Sequence, residues 1–246
     1  MYAISHLSKY YGKVKAVDDV SFDVQPGEVF GLLGRNGAGK TTTLRTLATL
    51  LAPTAGTASY QDLDLVRDAD KLRGHVGLLF GGDTGLYERL TARENIVYLA
   101  CLNGVPEPEA DKRTAELAEI FHFTEFLDRR AAKLSKGTRQ KVAFARAIVH
   151  DPALMLFDEP TVGLDVTARR DAEEFILQCK TNGKHIILSD HVLSVVERLC
   201  DRVGIMEQGK LLDVGTIPQL LDKYQSDSLE TVFFQLAGDR REEGTP

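Results

Sequence analysis

Eight consecutive residues, 34–41, carry the most specific chemical pattern in the chain. They read G-R-N-G-A-G-K-T and fit the phosphate-binding pattern G-x-x-x-x-G-K-S/T. The glycines let backbone N–H groups turn inward around a concave loop, and the first turn of a following helix adds partial positive charge. Lys40 can reach the outer phosphates of a polyphosphate, and the Thr41 hydroxyl can ligate Mg²⁺. The alternative is a glycine-rich turn with a solvated lysine.

The residues around this loop predict the elements that the pattern needs. The apolar run 29–33 precedes the loop, as a buried strand should, and residues 42–51 follow it with leucines at helical spacing. Strand, glycine loop and helix in this order are the context in which a phosphate-binding loop works. We therefore favour the phosphate site over the solvated turn.

A second apolar run, residues 154–157, ends in two carboxylates, Asp158 and Glu159. Beside a phosphate-binding loop, Asp158 can accept Mg²⁺ or one of its waters, and Glu159 can polarise an attacking water. Taken alone, an acidic pair after a strand fits a helix cap or a turn equally well. The upstream loop makes the metal-and-base interpretation the stronger one.

Two further local patterns leave alternatives open. Ser135 and Gly137 stand at the start of a helix, where they would form a second anion site or, more simply, a serine N-cap. The Tyr11 ring precedes Gly12 near the N-terminus. It could stack on a nucleobase or be a half-buried strand residue.

Composition limits the class of protein. The chain has 246 residues and a net charge of −6, enough for one large domain or two lobes, and the acidic balance argues against general nucleic-acid binding. No apolar run approaches the roughly 18–20 residues that span a bilayer, and no signal peptide is recognisable. The three cysteines are few and far apart in sequence, which favours reduced thiols in a cytoplasmic protein.

The hydrophobic patterns predict strands alternating with helices, interrupted by a helical insertion. Residues 2–24 are predicted as edge strands, with Val20, Phe22 and Val24 on a buried face. Residues 91–149 are predicted to be mostly helical, with a third insertion helix over 124–132. After residue 153 strands and helices alternate again, which predicts a mainly parallel sheet covered on both faces. Two short helical patterns follow residue 217, and then a polar end, 240–246, expected to be disordered.

Together these motifs resemble the nucleotide-binding subunit of ATP-binding-cassette (ABC) transporters over about residues 2–215. The glycine loop matches the family's Walker A motif, and Asp158–Glu159 match Walker B and its catalytic glutamate. Residues 134–140 resemble the signature motif, and Gly163-Leu164-Asp165 match the D-loop. Ser189-Asp190-His191 match the switch-histidine position, and Tyr11 aligns with the aromatic residue that stacks on adenine.

The resemblance implies an α/β fold: a P-loop NTPase (RecA-like) core with an N-terminal antiparallel β subdomain and an inserted α-helical subdomain. It places the ATPase domain at 1–220, the insertion at about 86–152, and a short helical extension with the polar tail at 221–246. It implies ATP and Mg²⁺ as cofactors, Glu159, His191 and Lys40 as catalytic residues, and Thr41 and Asp158 at the metal. The implied nucleotide contacts are Tyr11, Gly34, Asn36, Gly37, Ala38, Gly39, Lys40, Thr41, Thr42, Ser135, Gly137 and Asp165.

The resemblance also implies partners. Two copies would meet head to tail over two ATP molecules, with Ser135 and the N–H of Gly137 reaching the γ-phosphate across the interface. His191 would hold the γ-phosphate and the attacking water, against the alternative of a surface histidine at a helix start. A separately encoded membrane permease would be the other partner, with no nucleic acid. The protein would then be cytoplasmic and peripheral on the inner face of the membrane.

The expected function is the ATPase subunit of an ABC-2-type exporter of drugs, sodium or other small cargo, since residues 228–234 resemble the end of such proteins. The alternatives are a soluble ABC protein, which usually has two cassettes or long coiled-coil insertions, and a regulatory subunit that binds nucleotide without hydrolysis. The cargo is not readable from this chain.

Two departures from the family pattern stand out. Lys136 and Thr138 occupy signature positions that are usually glycine and glutamine, as in some exporters. Gly81 stands where the family has a glutamine that touches Mg²⁺ and relays to the permease, and Asp83 or a water is its expected substitute. The stretch 85–95 resembles the permease docking region. Leu86, Tyr87 and Leu90 are predicted to form an exposed apolar patch there.

Overall fold

Two β-sheets and nine α-helices make up the part of the chain that the structure, a computed structural model, describes: residues 1–80 and 85–238. The strands are β1 (Tyr2–Tyr11), β2 (Val14–Val24), β3 (Glu28–Gly34), β4 (Ala55–Tyr60), β5 (Leu63–Asp64), β6 (Val76–Phe80), β7 (Leu154–Asp158), β8 (His185–Asp190), β9 (Arg202–Glu207) and β10 (Lys210–Thr216). The helices are α1 (Lys40–Leu47), α2 (Ala69–Arg73), α3 (Ala92–Leu102), α4 (Glu107–Ile120), α5 (Lys136–Ile148), α6 (Val166–Thr181), α7 (Leu193–Leu199), α8 (Ile217–Lys223) and α9 (Leu229–Ala237). None of these helices is long and apolar enough to cross a lipid bilayer.

The first sheet is antiparallel, in the order β2-β1-β4-β5. The predicted buried face of β2 is confirmed, since Val20 and Val24 are fully buried and Phe22 nearly so. The prediction that all of residues 2–24 form edge strands is wrong for β1, because Tyr2 pairs with Val24 on one side and with Tyr60 on the other. Alternation in sequence shows which face a strand buries but not how many neighbours it has.

The second sheet, in the order β10-β9-β3-β8-β7-β6, is parallel except for β10. Strands β3, β7 and β8 are buried along their whole length, as the apolar runs in sequence predict. The register pairs Leu33 with Asp190 and Asp158 with Ser189. Because these strands are parallel, the P-loop and the carboxylates at the ends of β7 and β8 meet at one edge of the sheet.

Helix α1 joins the two sheets. Its Leu44 and Leu47 are buried in the same apolar cluster as Tyr2 from β1 and Phe30 from β3. The Tyr2 hydroxyl donates a hydrogen bond to the Leu47 carbonyl at 3.0 Å. The antiparallel sheet therefore supports the helix whose first turn closes the P-loop.

Helices α3, α4 and α5 lie between β6 and β7 in the sequence. Thr91 and Glu94 form a capping box at the start of α3. The predicted third helix over 124–132 is wrong: two short 3₁₀ turns occupy Thr124–Phe126 and Ala131–Lys133. The N–H groups of Ala131 and Ala132 bond to carbonyls of the loop before α3 instead of to a helix of their own.

The C-terminal part follows the two predicted helical patterns as α8 and α9, while β10 was not predicted. Helix α8 runs across residue 220, where the sequence places a domain boundary, and α9 packs against the parallel sheet through Phe233. The polar end 240–246 lies outside the described residues.

Four phenylalanines tie the helical segment to the sheet. The ring of Phe144 on α5 lies 5.1 Å from Phe121 after α4, 5.2 Å from Phe157 on β7 and 6.1 Å from Phe175 on α6. Phe144 is 1 % exposed. Its side chain therefore stabilises the position of α5, and with it the signature segment, relative to the strand that carries Asp158.

Replacing Phe144 with alanine should lower the free energy of unfolding by about 3–5 kcal/mol, because the ring leaves a cavity that its neighbours cannot fill. Urea denaturation measures this loss. Leu177→Ala is the matched control, since Leu177 is 36 % exposed on α6 and should cost less than about 1 kcal/mol. A loss as small for Phe144→Ala as for the control would contradict this packing argument.

Candidate active site

The glycine loop connects the end of β3 to the first turn of α1. Gly39 adopts a φ of +106°, a conformation that residues with a side chain rarely adopt. A Cβ at this position would lie 2.4 Å from the carbonyl oxygen of Ala16, so the loop packs closely against β2 only because residue 39 is glycine. Other residues of the loop, together with Gly39, line a cavity.

Lys40 is buried and bonded to the loop itself. Its Nζ donates to the Gly34 carbonyl at 2.5 Å and to the Arg35 carbonyl at 3.1 Å. Burial lowers the pKa of the Lys40 ammonium, while nearby carboxylates, Asp158 and Glu159 among them, oppose that shift. A buried cation held only by neutral carbonyls is ready to exchange them for a stronger acceptor.

Asp158 receives two side-chain hydroxyls. Thr41 Oγ1 donates to Asp158 Oδ2 at 2.6 Å, and Ser189 Oγ donates to Asp158 Oδ1. The two residues predicted at the metal are therefore in contact. No cluster of three or more histidine, cysteine or acidic side chains that could hold a metal by itself occurs among the described residues. One hydroxyl and one carboxylate fit Mg²⁺, which typically takes one or two protein oxygens and completes its shell with phosphates and water.

Glu159 and His191 form a pair above Asp158. His191 Nδ1 lies 2.7 Å from Glu159 Oε1. Glu159 has a φ of +49°, and its N–H donates to the Ser189 carbonyl at 2.9 Å. The turn after β7 is therefore tied to β8, which fixes the carboxylate that can act as a base beside the imidazole that can orient it.

Asp190 is a functional residue that the sequence reasoning named only as part of a motif. It is fully buried, and its Oδ1 accepts the N–H groups of His191 and Val192 at 2.8 and 2.9 Å. Its Oδ2 has no hydrogen-bond partner within the described residues. Burial raises the pKa of the Asp190 carboxyl, and the charge of Glu159 adds to that shift. Asp190 thus fixes the turn that carries His191. In the sequence, the feature that could have indicated this role is a charged residue at the end of an apolar strand.

These elements enclose a cavity of about 600 Å³, a size typical of sites for small ligands. Six of the predicted phosphate-loop residues line it: Asn36, Gly37, Gly39, Lys40, Thr41 and Thr42. Asp158 and Glu159 line it as well, whereas Gly34 and Ala38 belong to the loop without lining the cavity. The lining residues that the sequence reasoning missed are Val14, Lys15, Ala16, Arg35, Arg45, Phe80 and Gln208.

Tyr11 does not line this cavity. It is 49 % exposed at the end of β1, with Lys9 Nζ 5.3 Å from the centre of its ring. Val14, which pairs with Tyr11 across the hairpin, does line the cavity. Stacking of Tyr11 on a base stays a prediction.

The signature and D-loop residues lie on a different surface. Ser135 caps α5 by accepting the N–H of Thr138 at 3.2 Å, so the simple N-cap is present. A Cβ on Gly137 would lie 3.7 Å from the Gly163 carbonyl, which brings the two motifs side by side. Asp165 caps α6 through the N–H of Ala168 at 2.8 Å, a bond that lowers the pKa of this carboxyl. Ser135, Gly137, Asp165 and His191 do not line the P-loop cavity.

The predicted docking patch is partly wrong. Leu86 is 7 % exposed and belongs to the main apolar cluster, because its side chain turns inward before α3. Tyr87 is 55 % exposed, and its ring meets that of Tyr98 edge-on at 5.6 Å. Leu90 is half-buried beside them. Gly81 and Asp83 lie outside the described residues.

Removal of the buried charge at Asp190 should stabilise the fold. Because the folded-state pKa of this carboxyl is raised, ionising it in the fold costs free energy above that pKa, and the cost disappears at a pH below its ordinary value. Asp190→Asn keeps the acceptor for both N–H groups. Its melting temperature should exceed that of the unaltered protein at pH 8, and the difference should shrink toward pH 4.

Asp165→Asn is the matched control, because its carboxylate caps a helix and has a lowered pKa. The melting temperature of Asp165→Asn at pH 8 should not exceed that of the unaltered protein. An Asp190→Asn protein that melts lower than the unaltered chain at pH 8 would contradict the assigned burial cost.

Comparison with known proteins identifies the family. Residues 17–162 match the model of the ABC transporter family. The chain is 44 % identical over 220 residues, 89 % of both chains, to the ABC transporter ATP-binding protein NatA of Bacillus subtilis (strain 168). It is 38 % identical to the Nod factor export ATP-binding protein I of Paraburkholderia xenovorans (strain LB400), covering 87 % of this chain and 70 % of that one.

A solved structure described as the ATP binding subunit of an ABC transporter has the same fold, with a TM-score of 0.89 and 31 % identity. The match covers 96 % of this chain and 99 % of that one. The P-loop, the paired carboxylates at the end of β7 and the histidine after β8 thus occur in a chain that belongs to the ABC transporter family, as one of its ATP-binding subunits.

Proposed function

We propose that this subunit binds ATP with Mg²⁺, hydrolyses it and powers a separate membrane subunit of an exporter. The observation that carries the proposal is the meeting of Lys40, Thr41, Asp158 and Glu159 at one cavity of about 600 Å³. This combination supplies a phosphate cradle, oxygen ligands for a divalent cation and a carboxylate base. Phosphoryl transfer needs positioning and charge stabilisation, and these groups provide both.

Binding uses the loop backbone and Lys40. Asn36, Gly37 and Gly39 of the loop and the first turn of α1 line the space that the phosphates would occupy. Lys40 Nζ exchanges the carbonyls of Gly34 and Arg35 for phosphate oxygens, and these charged acceptors make stronger bonds than the carbonyls do. The buried ammonium thereby gains a directly bonded counter-charge in place of two neutral carbonyls.

Thr41 and Asp158 would hold Mg²⁺, Thr41 through its hydroxyl oxygen and Asp158 directly or through water. When bound, this ion neutralises charge on the phosphates. The hydrogen bond between Thr41 and Asp158 keeps the two oxygens 2.6 Å apart, and Ser189 holds the other carboxylate oxygen. The ligands are thus oriented before nucleotide arrives.

Glu159 is the proposed base. Its carboxylate accepts a proton from a water as the water oxygen bonds to the γ-phosphorus. The bond from that phosphorus to the bridging oxygen breaks, and ADP and phosphate are released. His191, 2.7 Å from Glu159, orients that carboxylate and the phosphate. Asp190 holds the His191 and Val192 N–H groups, so the imidazole stays at the site when Glu159 moves toward the water.

A second copy of the chain is the proposed partner in the site. Ser135, Gly137 and Asp165 lie together on a surface apart from the P-loop cavity, so these three of the twelve predicted nucleotide contacts would come from another copy. Helix α5 begins at this surface, and its first turn favours an anion. Head-to-tail pairing would bring this turn to the γ-phosphate of the partner copy and make ATP part of the interface.

Glu159→Gln should bind ATP with unchanged affinity and lose about 10²–10⁴-fold in hydrolysis rate, because the P-loop is intact and the base is gone. It should accumulate as a dimer with two trapped nucleotides, seen by size-exclusion chromatography with ATP and Mg²⁺. Lys40→Ala should lose affinity and stay monomeric. Ser135→Arg should bind ATP but stay monomeric, because its defect lies on the surface offered to the other copy.

Hydrolysis by Glu159→Gln at the unaltered rate would refute the role of the base. A Glu159→Gln protein that stays monomeric at saturating ATP would count against the dimer while leaving the ATPase intact. The two parts of the proposal are therefore tested separately.

Two adjoining grooves on the helical segment are the proposed docking surface for the membrane subunit. They are lined around Leu90 and Tyr98, one with Tyr87 and the other with Val97. Exposed apolar surface of this kind usually marks a partner site. The longest described helix has 16 residues, which favours a transport subunit over a soluble ABC protein with a long coiled-coil insertion. The name of the Nod factor export relative supports export as the direction.

The double change Tyr87→Ser and Leu90→Ser should abolish co-purification with a co-expressed membrane protein encoded beside the gene, since both apolar contacts are lost. ATP binding by the soluble protein should not change. Leu102→Ser is the control, because Leu102 is 64 % exposed on the same helix α3 but lines neither groove. Undiminished co-purification of the double variant would remove this surface from the interface.

A further inference from the structure

Helix α9 packs against the strand that leads into the P-loop. Leu229, Val232 and Phe233 are buried in one apolar cluster with Leu33, the residue directly before Gly34. The cluster also contains Val196 of α7. The last described helix is therefore part of the packing beneath the nucleotide cavity and not a free extension.

A small cavity of about 230 Å³ separates α9 from the nucleotide site. On one side it is lined by Gly34, Arg35 and His191, and on the other by Glu230, Phe233 and Phe234. The same helix is thus adjacent to the start of the P-loop and to the histidine that pairs with Glu159. Arg35 lines both this cavity and the nucleotide cavity.

Arg35 connects the end of α9 to the P-loop lysine. Its Nη2 donates to the carbonyl of Gly238, directly after α9, at 3.3 Å. The C-terminal end of a helix carries partial negative charge, which favours a cation there. The carbonyl of the same arginine accepts Lys40 Nζ and the N–H of Ala38, each at 3.1 Å. One residue therefore contacts the helix through its side chain and the phosphate-binding lysine through its backbone.

We propose that Arg35 is a positioning residue for nucleotide binding and that α9 is the brace that holds it. This inference rests on the proposed ATP site. A loop with its first residues fixed loses less conformational freedom when nucleotide binds, so affinity is gained without a new contact to the ligand. By linkage, nucleotide bound to the loop stabilises α9 to the same extent.

Two variants remove the contact from opposite ends. Arg35→Gln replaces the guanidinium that reaches the Gly238 carbonyl with a shorter amide. Gly238→Val leaves the P-loop untouched, but valine cannot comfortably keep the φ of +77° at that position, so the carbonyl moves away. Nothing lies within 4 Å of a Cβ added at Gly238, so the change introduces no clash. Each variant should raise the Kd for ADP with Mg²⁺ by about fivefold, the lower end of typical coupling between sites.

Isothermal titration with ADP measures these constants. The double variant should bind ADP as tightly as either single variant, because both substitutions remove the same contact. Gly183→Val is the matched control: Gly183 has the same φ of +77° and the same open surroundings, but follows α6 far from the P-loop. Its Kd should equal that of the unaltered protein. Hydrogen–deuterium exchange should show that ADP slows exchange in α9 of the unaltered chain but not of Arg35→Gln.

The outcomes separate this inference from the function on which it rests. An unaltered protein that does not bind ADP overturns both. An unaltered protein that binds ADP, with a Gly238→Val variant of equal affinity, overturns the brace alone. An equal loss in Gly183→Val and Gly238→Val would mean that strain anywhere weakens binding, and this result also overturns the brace.

Discussion

The hydrogen bonds that converge on Asp158 are the interaction on which the rest of the site depends. Thr41 comes from the P-loop helix and Ser189 from the next strand, and both hydroxyls bind the same carboxylate. They can meet because β3, β8 and β7 run parallel and in register, with Asp158 opposite Ser189. A shift of one residue in this register would turn Asp158 to the other face of the sheet and separate it from Thr41.

The same register concentrates negative charge at one edge of the sheet. Asp158, Glu159 and Asp190 lie near a single buried ammonium, that of Lys40. Asp190 is the most costly of the three carboxylates, because it is fully buried and one of its oxygens has no partner within the described residues. A divalent cation bound together with a polyphosphate suits such a site, since the cation offsets the carboxylates and the phosphates satisfy Lys40. This charge balance explains why the site needs the carboxylates and a divalent cation as well as the P-loop.

Much of this arrangement could be predicted from the sequence, because the strands are fully buried and the loop pattern is specific. The apolar runs 29–33 and 154–157 lie in β3 and β7, and the two helical patterns after residue 217 form α8 and α9. The predictions failed where contacts between residues far apart in sequence determine the local structure. Residues 124–132 have a helical pattern, but the N–H groups of Ala131 and Ala132 find better acceptors in the loop before α3. Leu86 was predicted to be part of an exposed apolar patch, but its side chain is buried.

The site residues that sequence reasoning missed share a physical cause. Phe80 and Gln208 line the nucleotide cavity because the tertiary fold brings them beside the glycine loop, so no local pattern marks them. Arg35 stands in a variable position of the glycine loop, where the pattern accepts any residue. Its role becomes visible only when α9, nearly two hundred residues later in the chain, is seen beside it.

The division of the predicted site between two surfaces gives the proposed dimer its dependence on nucleotide. The first turn of α5 has backbone N–H groups without acceptors inside the helix, as every helix does, and Ser135 caps that of Thr138. A phosphate bound to another copy would satisfy others, with stronger bonds than a neutral acceptor makes. The P-loop cavity without nucleotide presents the Lys40 ammonium, bonded to its own loop, together with the carboxylates of Asp158 and Glu159 and the side chains of Lys15, Arg35 and Arg45. In the proposed dimer, ATP would supply the anion that the first turn of α5 favours, and hydrolysis would remove the shared phosphate and with it that part of the attraction.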